Sequence, residues 1–335
     1  FLHPFPLSEK YFLVACQEAK GRDWGIYLAD AFDNLVQVKG EPGWALLEPV
    51  PLRPSAKPPV IPSRVDTSRD DALVYIHDVQ AGPGLKGVPQ GTIKGLRVVA
   101  YNFGYRGLAG PDKIGRGGPW EAMRIIGTVP VEEDGSAVFR VPARTPLSLQ
   151  ALDAEGKAVQ LMRSWFSAQP GENVSCVGCH ETPRDTVVPR VSVASRREPR
   201  DLDPWHGPPR GFDFAREVQP VLDRHCVSCH DGSQPGMPDL RPEEQVPGYK
   251  GMPLTKMGIE RLYPEIREAT GGVFKYTPAY EALLGYVRRV GIEDDVNLLV
   301  PGEYHADVSP LIQMLKKGHG GVRLGEEDWS RLVTW

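Results

Sequence analysis

No apolar run in the sequence approaches the ~20 residues of a membrane-spanning helix, so no helical membrane span is expected. Excess charge is small: 39 Lys and Arg stand against 43 Asp and Glu, a net −4 at pH 7. That balance offers no basic footprint for nucleic acid and no polybasic patch for an anionic membrane surface. No βαβ pattern accompanies the cysteines, which argues against a thioredoxin-like redox centre. Cysteine is scarce, five in 335 residues. No Met stands at position 1, no signal peptide follows, and the chain stops at Trp335 inside a helical pattern with no cap after it. Both ends read as cut from a longer chain.

Four of the five cysteines fall in two runs, Cys176-Val177-Gly178-Cys179-His180 and Cys226-Val227-Ser228-Cys229-His230. Cys-x-x-Cys-His is the attachment signature of c-type haem. Two thiols three positions apart share one face of a helical turn. There they can add to the two vinyl groups on one porphyrin edge, and the next residue, His180 or His230, reaches the iron. A four-cysteine zinc site also uses paired Cys-x-x-Cys, with about 15–20 residues between pairs. Here residues 180–225 intervene, and zinc gives no reason for a histidine after both pairs. The expectation is two covalently bound haem c groups. Their attachment takes place outside the cytoplasm, so an extracytoplasmic location and an upstream export signal follow.

Length and a 41% hydrophobic content support two or three packed domains. Residues 1–63 are expected to hold short strands at Tyr11–Cys16, Trp24–Leu28 and Leu35–Val38, then a proline-rich linker. A three-strand meander of this size is not expected to fold alone, so this part reads as the last blade of something larger. Residues 64–185 form a β-rich, sandwich-like middle domain with the first haem. Its strands include Leu73–Ile76, Leu96–Tyr101 and alternating runs from Ala137 and Leu147. Asp134-Gly135 is a hairpin turn signal, and Glu155-Gly156 turns the chain again. Residues 186–210 read as a linker rich in Arg and Pro. Residues 211–335 are mainly helical, with Thr277-Pro278 and Ser309-Pro310 as helix starts and Gly318 as a stop. A helix running into Cys226 and a last helix rich in Trp and Leu is the plan of a small cytochrome c domain. The fold class is thus multidomain α+β.

The second ligand of each iron separates electron carriers from reactive sites, because a closed iron carries electrons and an open one binds substrates. For the second haem His319 is the first choice, in Gly318-His319-Gly320-Gly321, where flanking glycines permit close backbone approach. His305 is the alternative. Met314 matches core spacing, and His225 reads as structural. For the first haem no loop histidine follows the motif. His77, His206, Tyr101, Tyr105, Met123 and Met162 are candidates with nothing to single one out. Arg163 and Arg184 are candidates for propionate pairing, and Trp165 and Phe166 for packing on the porphyrin or in the core. Cys16 reads as a small buried hydrophobe.

The run Gly127-Thr128-Val129-Pro130-Val131-Glu132-Glu133-Asp134-Gly135-Ser136-Ala137 continues through Ser164-Trp165-Phe166 to the first motif. With Phe12–Asp33 and Val218-Gln219-Pro220-Val221-Leu222-Asp223, this resembles the hydrazine synthase alpha subunit family over nearly the whole chain. The resemblance implies a closing propeller blade, a middle domain with one c-type haem, and a C-terminal domain with a bis-histidine haem. It implies a catalytic middle haem that joins hydroxylamine, formed from nitric oxide at another haem site, with ammonia. In the family the motif histidine faces a zinc ion and a tyrosine four residues later binds the iron. Arg184 stands at that position here, and arginine cannot replace the tyrosine. His180 is therefore expected to bind iron in the ordinary way, with a Cys16–His180 zinc site as a minor alternative.

Two functional classes follow. One is an oxidoreductase subunit acting on small nitrogen compounds at the first haem, relaying electrons through the second to other subunits and an electron-transfer partner. The other is a multihaem carrier or docking module without chemistry of its own. Zinc-stabilised structural modules are a third reading.

Overall fold

The computed structural model describes the chain apart from residues 55, 64, 105–113, 117, 119, 120, 182, 183, 188, 243, 244, 247–251, 254–272, 275 and 292–297. It is mostly β-sheet with few helices, divided into two compact units, Phe1–Ser63 and Arg64–Trp335.

The first unit is a four-stranded antiparallel sheet in chain order, β1 (Leu2–Pro6), β2 (Tyr11–Cys16), β3 (Gly25–Asp30) and β4 (Leu35–Lys39). Three of these strands match the sequence reading. β1 was hidden by Pro4 and Pro6, which β-strands tolerate at an edge, where their missing N–H is not needed. The Asp30 carboxylate accepts from the N–H groups of Phe32 and Asn34. That closes the turn in which Asp33 takes a φ of 64°. Val14, Cys16 and Tyr27 are buried together, so Cys16 packs as a small apolar side chain.

In the second unit, β5 (Asp71–Ile76), β6 (Gly95–Asn102), β7 (Ala122–Pro130), β8 (Ala137–Pro142), β9 (Leu147–Leu152), β10 (Ala158–Leu161), β11 (Asn173–Cys176) and β12 (Arg210–Gly211) form two sheets. One runs β10-β9-β6-β7-β12, the other β11-β5-β8. Strand alternation points Ala72, Val74 and Ile76 of β5 inward with Phe139 and Val141 of β8, against Leu96, Val98 and Ala100 of β6. This is the expected sandwich. Phe139 is fully buried at its centre, a burial worth about 1.5–3 kcal/mol.

Two expectations change. The Asp134-Gly135 turn forms, with Glu132 N–H donating to Ser136 O at 2.8 Å. It is no hairpin between partners, however: β7 joins the larger sheet and β8 the smaller. The turn carries the chain across the core. The stretch 186–210, which composition marks as a linker, is in large part hydrogen-bonded to the sandwich. Arg140 N–H donates to Arg200 O and Arg200 N–H to Val138 O along β8, Thr128 and Asp203 pair both ways, and Ser192 and Ala194 are buried. Its arginines add to this: Arg190 donates to His77 O and Asp134 O, and Arg197 pairs with Glu132.

Among the described residues five α-helices follow: α1 (Phe214–Glu217), α2 (Gln219–His225), α3 (Pro278–Leu283), α4 (Pro310–Lys317) and α5 (Glu326–Thr334). The single helix expected before Cys226 is two. Pro220 has no N–H and its ring crowds the carbonyl four residues back, so the helix breaks at Val218 and restarts with proline in its first turn. Thr277 caps α3 by accepting from Tyr280 N–H, and Gly318 ends α4 at a φ of 90°. Ser309 precedes Pro310 as expected, but its hydroxyl accepts from Arg288 N–H instead of capping α4. Val218, Val221, Leu222, Leu283, Leu311, Ile312, Leu332 and Val333 form one core. Met252–Pro253 and Val273–Phe274 pair as a short antiparallel ladder.

Candidate haem sites

The first motif leaves the end of β11, which pairs in parallel with β5 so that Cys176 lies opposite Ile76. The ladder continues beyond both strands: His77 N–H donates to Cys176 O, and Asp78 N–H to Val177 O. A tight loop over residues 79–86 then packs on the motif. Gly84 N–H donates to Cys179 O at 3.0 Å. A Cβ on Gly84 would meet Cys179 Sγ at 2.7 Å, and one on Gly178 would meet Ala81 O at 2.2 Å. Both glycines are therefore required for the loop and the motif to touch. His180 takes a φ of 62°, and the Glu181 carboxylate accepts from Val177 N–H, holding the turn closed.

Cys176, Cys179 and His180 line a cavity of about 900 Å³, within the ~300–1,000 Å³ range of cofactor pockets. Its walls are largely apolar, with Ile76, Val79, Leu96, Leu149 and Phe166 among them. Burial raises the Cys176 thiol to about 11, with the nearby Glu181 charge adding to it, and burial raises Cys179 to about 11. The free thiols are thus held neutral against the apolar wall. Gln160 braces this wall: its Nε2 donates to Gly84 O at 2.6 Å and Leu299 O at 2.9 Å, and its Oε1 accepts from Leu161 N–H.

The candidate partners of the first motif scatter. Met162 and Arg163 line the cavity with Phe166. Trp165 does not line it; it packs with Phe103 and Tyr101, with ring centroids 4.8 and 6.3 Å away. His77 follows β5 directly and lies beside the ring of Tyr75, and burial lowers its pKa, with the Arg190 charge adding to that. His206 bonds Ser330 at 3.0 Å. Met123 lies in β7, and Arg184 is exposed. Tyr105 falls outside the described residues. Of the described residues lining the cavity, His180 is the one histidine. The short run Ala81-Gly82-Pro83-Gly84 and Gln160 were missed in the sequence. The glycine-proline run was the available signal for the loop; Gln160 carried none.

At the second motif α2 delivers the cysteines. Cys226 N–H donates to Leu222 O, and the turn continues as Cys229 and His230 N–H both donate to Cys226 O. His230 Nδ1 lies 3.0 Å from Pro238 O. A backbone carbonyl at one ring nitrogen fixes the tautomer and leaves Nε2 as the metal-facing atom. His319 stands opposite, with ring centroids 5.9 Å apart and planes 29° apart. Two imidazoles on one metal, each about 2 Å from it, hold their centroids roughly 6 Å apart. His305 is engaged elsewhere: Nε2 pairs with Asp153 Oδ2 at 2.9 Å, and Nδ1 accepts from Asp307 N–H. His225 pairs with Asp328 at 2.8 Å, and Met314 packs on the helical core, both as expected. Both motifs therefore fit c-type haem: glycine-cradled neutral thiols on an apolar cavity at one, a facing imidazole pair at the other. Among the described residues no three His, Cys, Asp or Glu side chains are grouped to hold a metal ion. No described helix is long and apolar enough to cross a membrane.

The family model described as "Hydrazine synthase alpha subunit middle domain" matches residues 91–181, which ends just past the first motif. The hydrazine synthase subunit alpha of Kuenenia stuttgartiensis is 25% identical over 216 residues, 45% of this chain and 27% of that protein. The match thus spans about a quarter of the relative's length, and less of this chain than the sequence resemblance took in. A solved Kuenenia stuttgartiensis hydrazine synthase aligns over 70% of this chain and 42% of its own, with a TM-score of 0.45 and 21% identity.

Proposed function

We propose that this chain, whose residues 91–181 match the hydrazine synthase alpha subunit middle domain, is the dihaem portion of an extracytoplasmic, hydrazine synthase alpha-like oxidoreductase subunit. In this reading Cys176 and Cys179 hold one haem c and His180 ligates its iron. Cys226 and Cys229 would hold the other in a cytochrome c-like helical domain, with His230 and His319 as the residues that would bind its iron. When bound, the haems supply one-electron and small-molecule redox chemistry. The observation that carries the assignment of roles is the asymmetry between the motifs. His230 faces His319 at 5.9 Å, an arrangement suited to a closed, electron-carrying iron. His180 opens on a cavity of about 900 Å³ with no second histidine among its described lining residues, which suits an iron open to small nitrogen compounds.

The chain's own residues prepare that site. Leu96, Leu149 and Phe166 exclude water from one side, which strengthens electrostatic interactions inside. Gln160 ties the 79–86 loop to Leu299 and keeps the wall closed. Arg163 supplies a cation at the cavity lining, placed to pair with a carboxylate. Other subunits of a redox complex and an electron-transfer partner are the expected partners; the curated relative is itself named a subunit.

The test is electronic absorption and electron paramagnetic resonance on the haem-loaded chain, with and without carbon monoxide. The expected outcome is one low-spin haem and one high-spin haem that binds carbon monoxide. Two low-spin haems indifferent to carbon monoxide would leave the alternative, an electron carrier or docking module. A haem stain on a denaturing gel that shows no covalent haem would remove both.

A further inference from the structure

A second cavity lies outside both motifs. It encloses about 200 Å³ between β6, β9 and β10 on one side and α4 and α5 on the other, and Arg97, Arg288 and Arg289 all line it. Arg97 is only 4% exposed. Its guanidinium donates to Gln150 Oε1 at 2.9 Å, Gly156 O at 3.1 Å and Thr334 Oγ1 at 3.0 Å, all neutral acceptors. Its Nε, fully buried, has no partner among the described residues.

Buried charges are normally paired, and the two other buried charged side chains among the described residues obey that rule. Glu217 lies between Arg210 and Arg331, and Lys157 between Glu155 and Asp307. Arg97 departs from it. No Asp or Glu side chain among the described residues lines the cavity. Arg289 donates to the carbonyl of Arg116, again a neutral acceptor. Arg288 has a carboxylate partner, Glu303, which does not line the cavity. Burial lowers Arg97 to about 10, so the group still carries its charge at neutral pH.

We propose that this cavity binds one small, singly charged planar oxyanion of the carboxylate or nitrate type. The guanidinium plane matches planar oxyanions, with charge-assisted hydrogen bonds. The volume has room for a small anion, and Leu161, Leu332 and Val333 on the wall disfavour a strongly hydrated multivalent ion. Leu161 also lines the larger cavity of the first motif, so the anion would sit one side chain away from that site.

The test is calorimetric titration of the purified chain with sodium nitrate, against sodium chloride at constant ionic strength, with a nitrate-soaked crystal structure. Saturable binding of one nitrate per chain is expected, with density beside Arg97. Arg97→Gln should abolish it. Should that variant fail to fold, Arg289→Gln, at the half-buried edge of the cavity, should weaken nitrate at least tenfold without altering haem content. No saturable heat, an equal response to chloride, unchanged affinity in Arg289→Gln, or density for water alone would each overturn the site.

Discussion

The rings of His230 and His319 face each other 5.9 Å apart, although one follows α2 and the other follows α4. The spacing suits two imidazoles sharing one metal, and His230 is anchored through Nδ1 to Pro238 O. It singles out His319, since His305 has both ring nitrogens occupied by Asp153 and Asp307.

The first prediction concerns that pair. In the haem-loaded chain, His319→Ala should convert one low-spin haem to high-spin, read by electron paramagnetic resonance. His305→Ala should leave the spectrum unchanged. The opposite pattern would transfer the distal role to His305.

The second concerns the contact between the first motif and its loop. Gly178→Ala would place a Cβ 2.2 Å from Ala81 O, an overpacking that costs about 1–3 kcal/mol. Urea denaturation should show that loss. Mass spectrometry should show reduced haem attachment at Cys176 and Cys179, with attachment at Cys226 and Cys229 intact.

Glu217 supplies the third. Its fully buried carboxylate is bonded by Arg210 from β12 and by Arg331 from α5, and both guanidinium groups lie over the ring of Trp205. Glu217→Gln leaves two cations facing a neutral amide. Breaking such a buried pair costs about 3–5 kcal/mol, so the denaturation midpoint should fall well beyond the effect of an exposed Glu326→Gln control.

The fourth is a pH dependence. Burial of Asp328 works to raise its pKa, but bonds from Arg224 and His225 outweigh it and hold the carboxyl below its ordinary value of 3.8. A carboxyl depressed in the folded state stabilises the fold above its unfolded pKa and loses that contribution as pH falls through the folded one. Stability should therefore drop as the pH is taken below about 4, and Asp328→Asn should flatten that part of the profile in thermal melts.

Much of this was legible in the chain. The paired Cys-x-x-Cys-His runs, the Thr277-Pro278 cap, the Gly318 stop and the alternating strands of the sandwich all rest on residues within a few positions of each other. Local covalent spacing and backbone preference carry such features whatever the remaining chain does.

What needed the tertiary structure is non-local. Whether His319 or His305 faces His230 depends on where α4 packs. The strip 186–210 has a linker's composition, yet backbone bonds such as Thr128–Asp203 and side-chain bonds such as Arg190 to Asp134 O and Arg197 to Glu132 tie it to the sandwich. Asp134-Gly135 is a turn by its residues, yet only the choice of partner strands decides that it joins two sheets. Arg97 reads as one arginine in a strand, and its lack of a carboxylate partner among the described residues emerges only once α5 closes over β6. In each case long-range packing sets the energy of the arrangement, and no short window of sequence contains both partners.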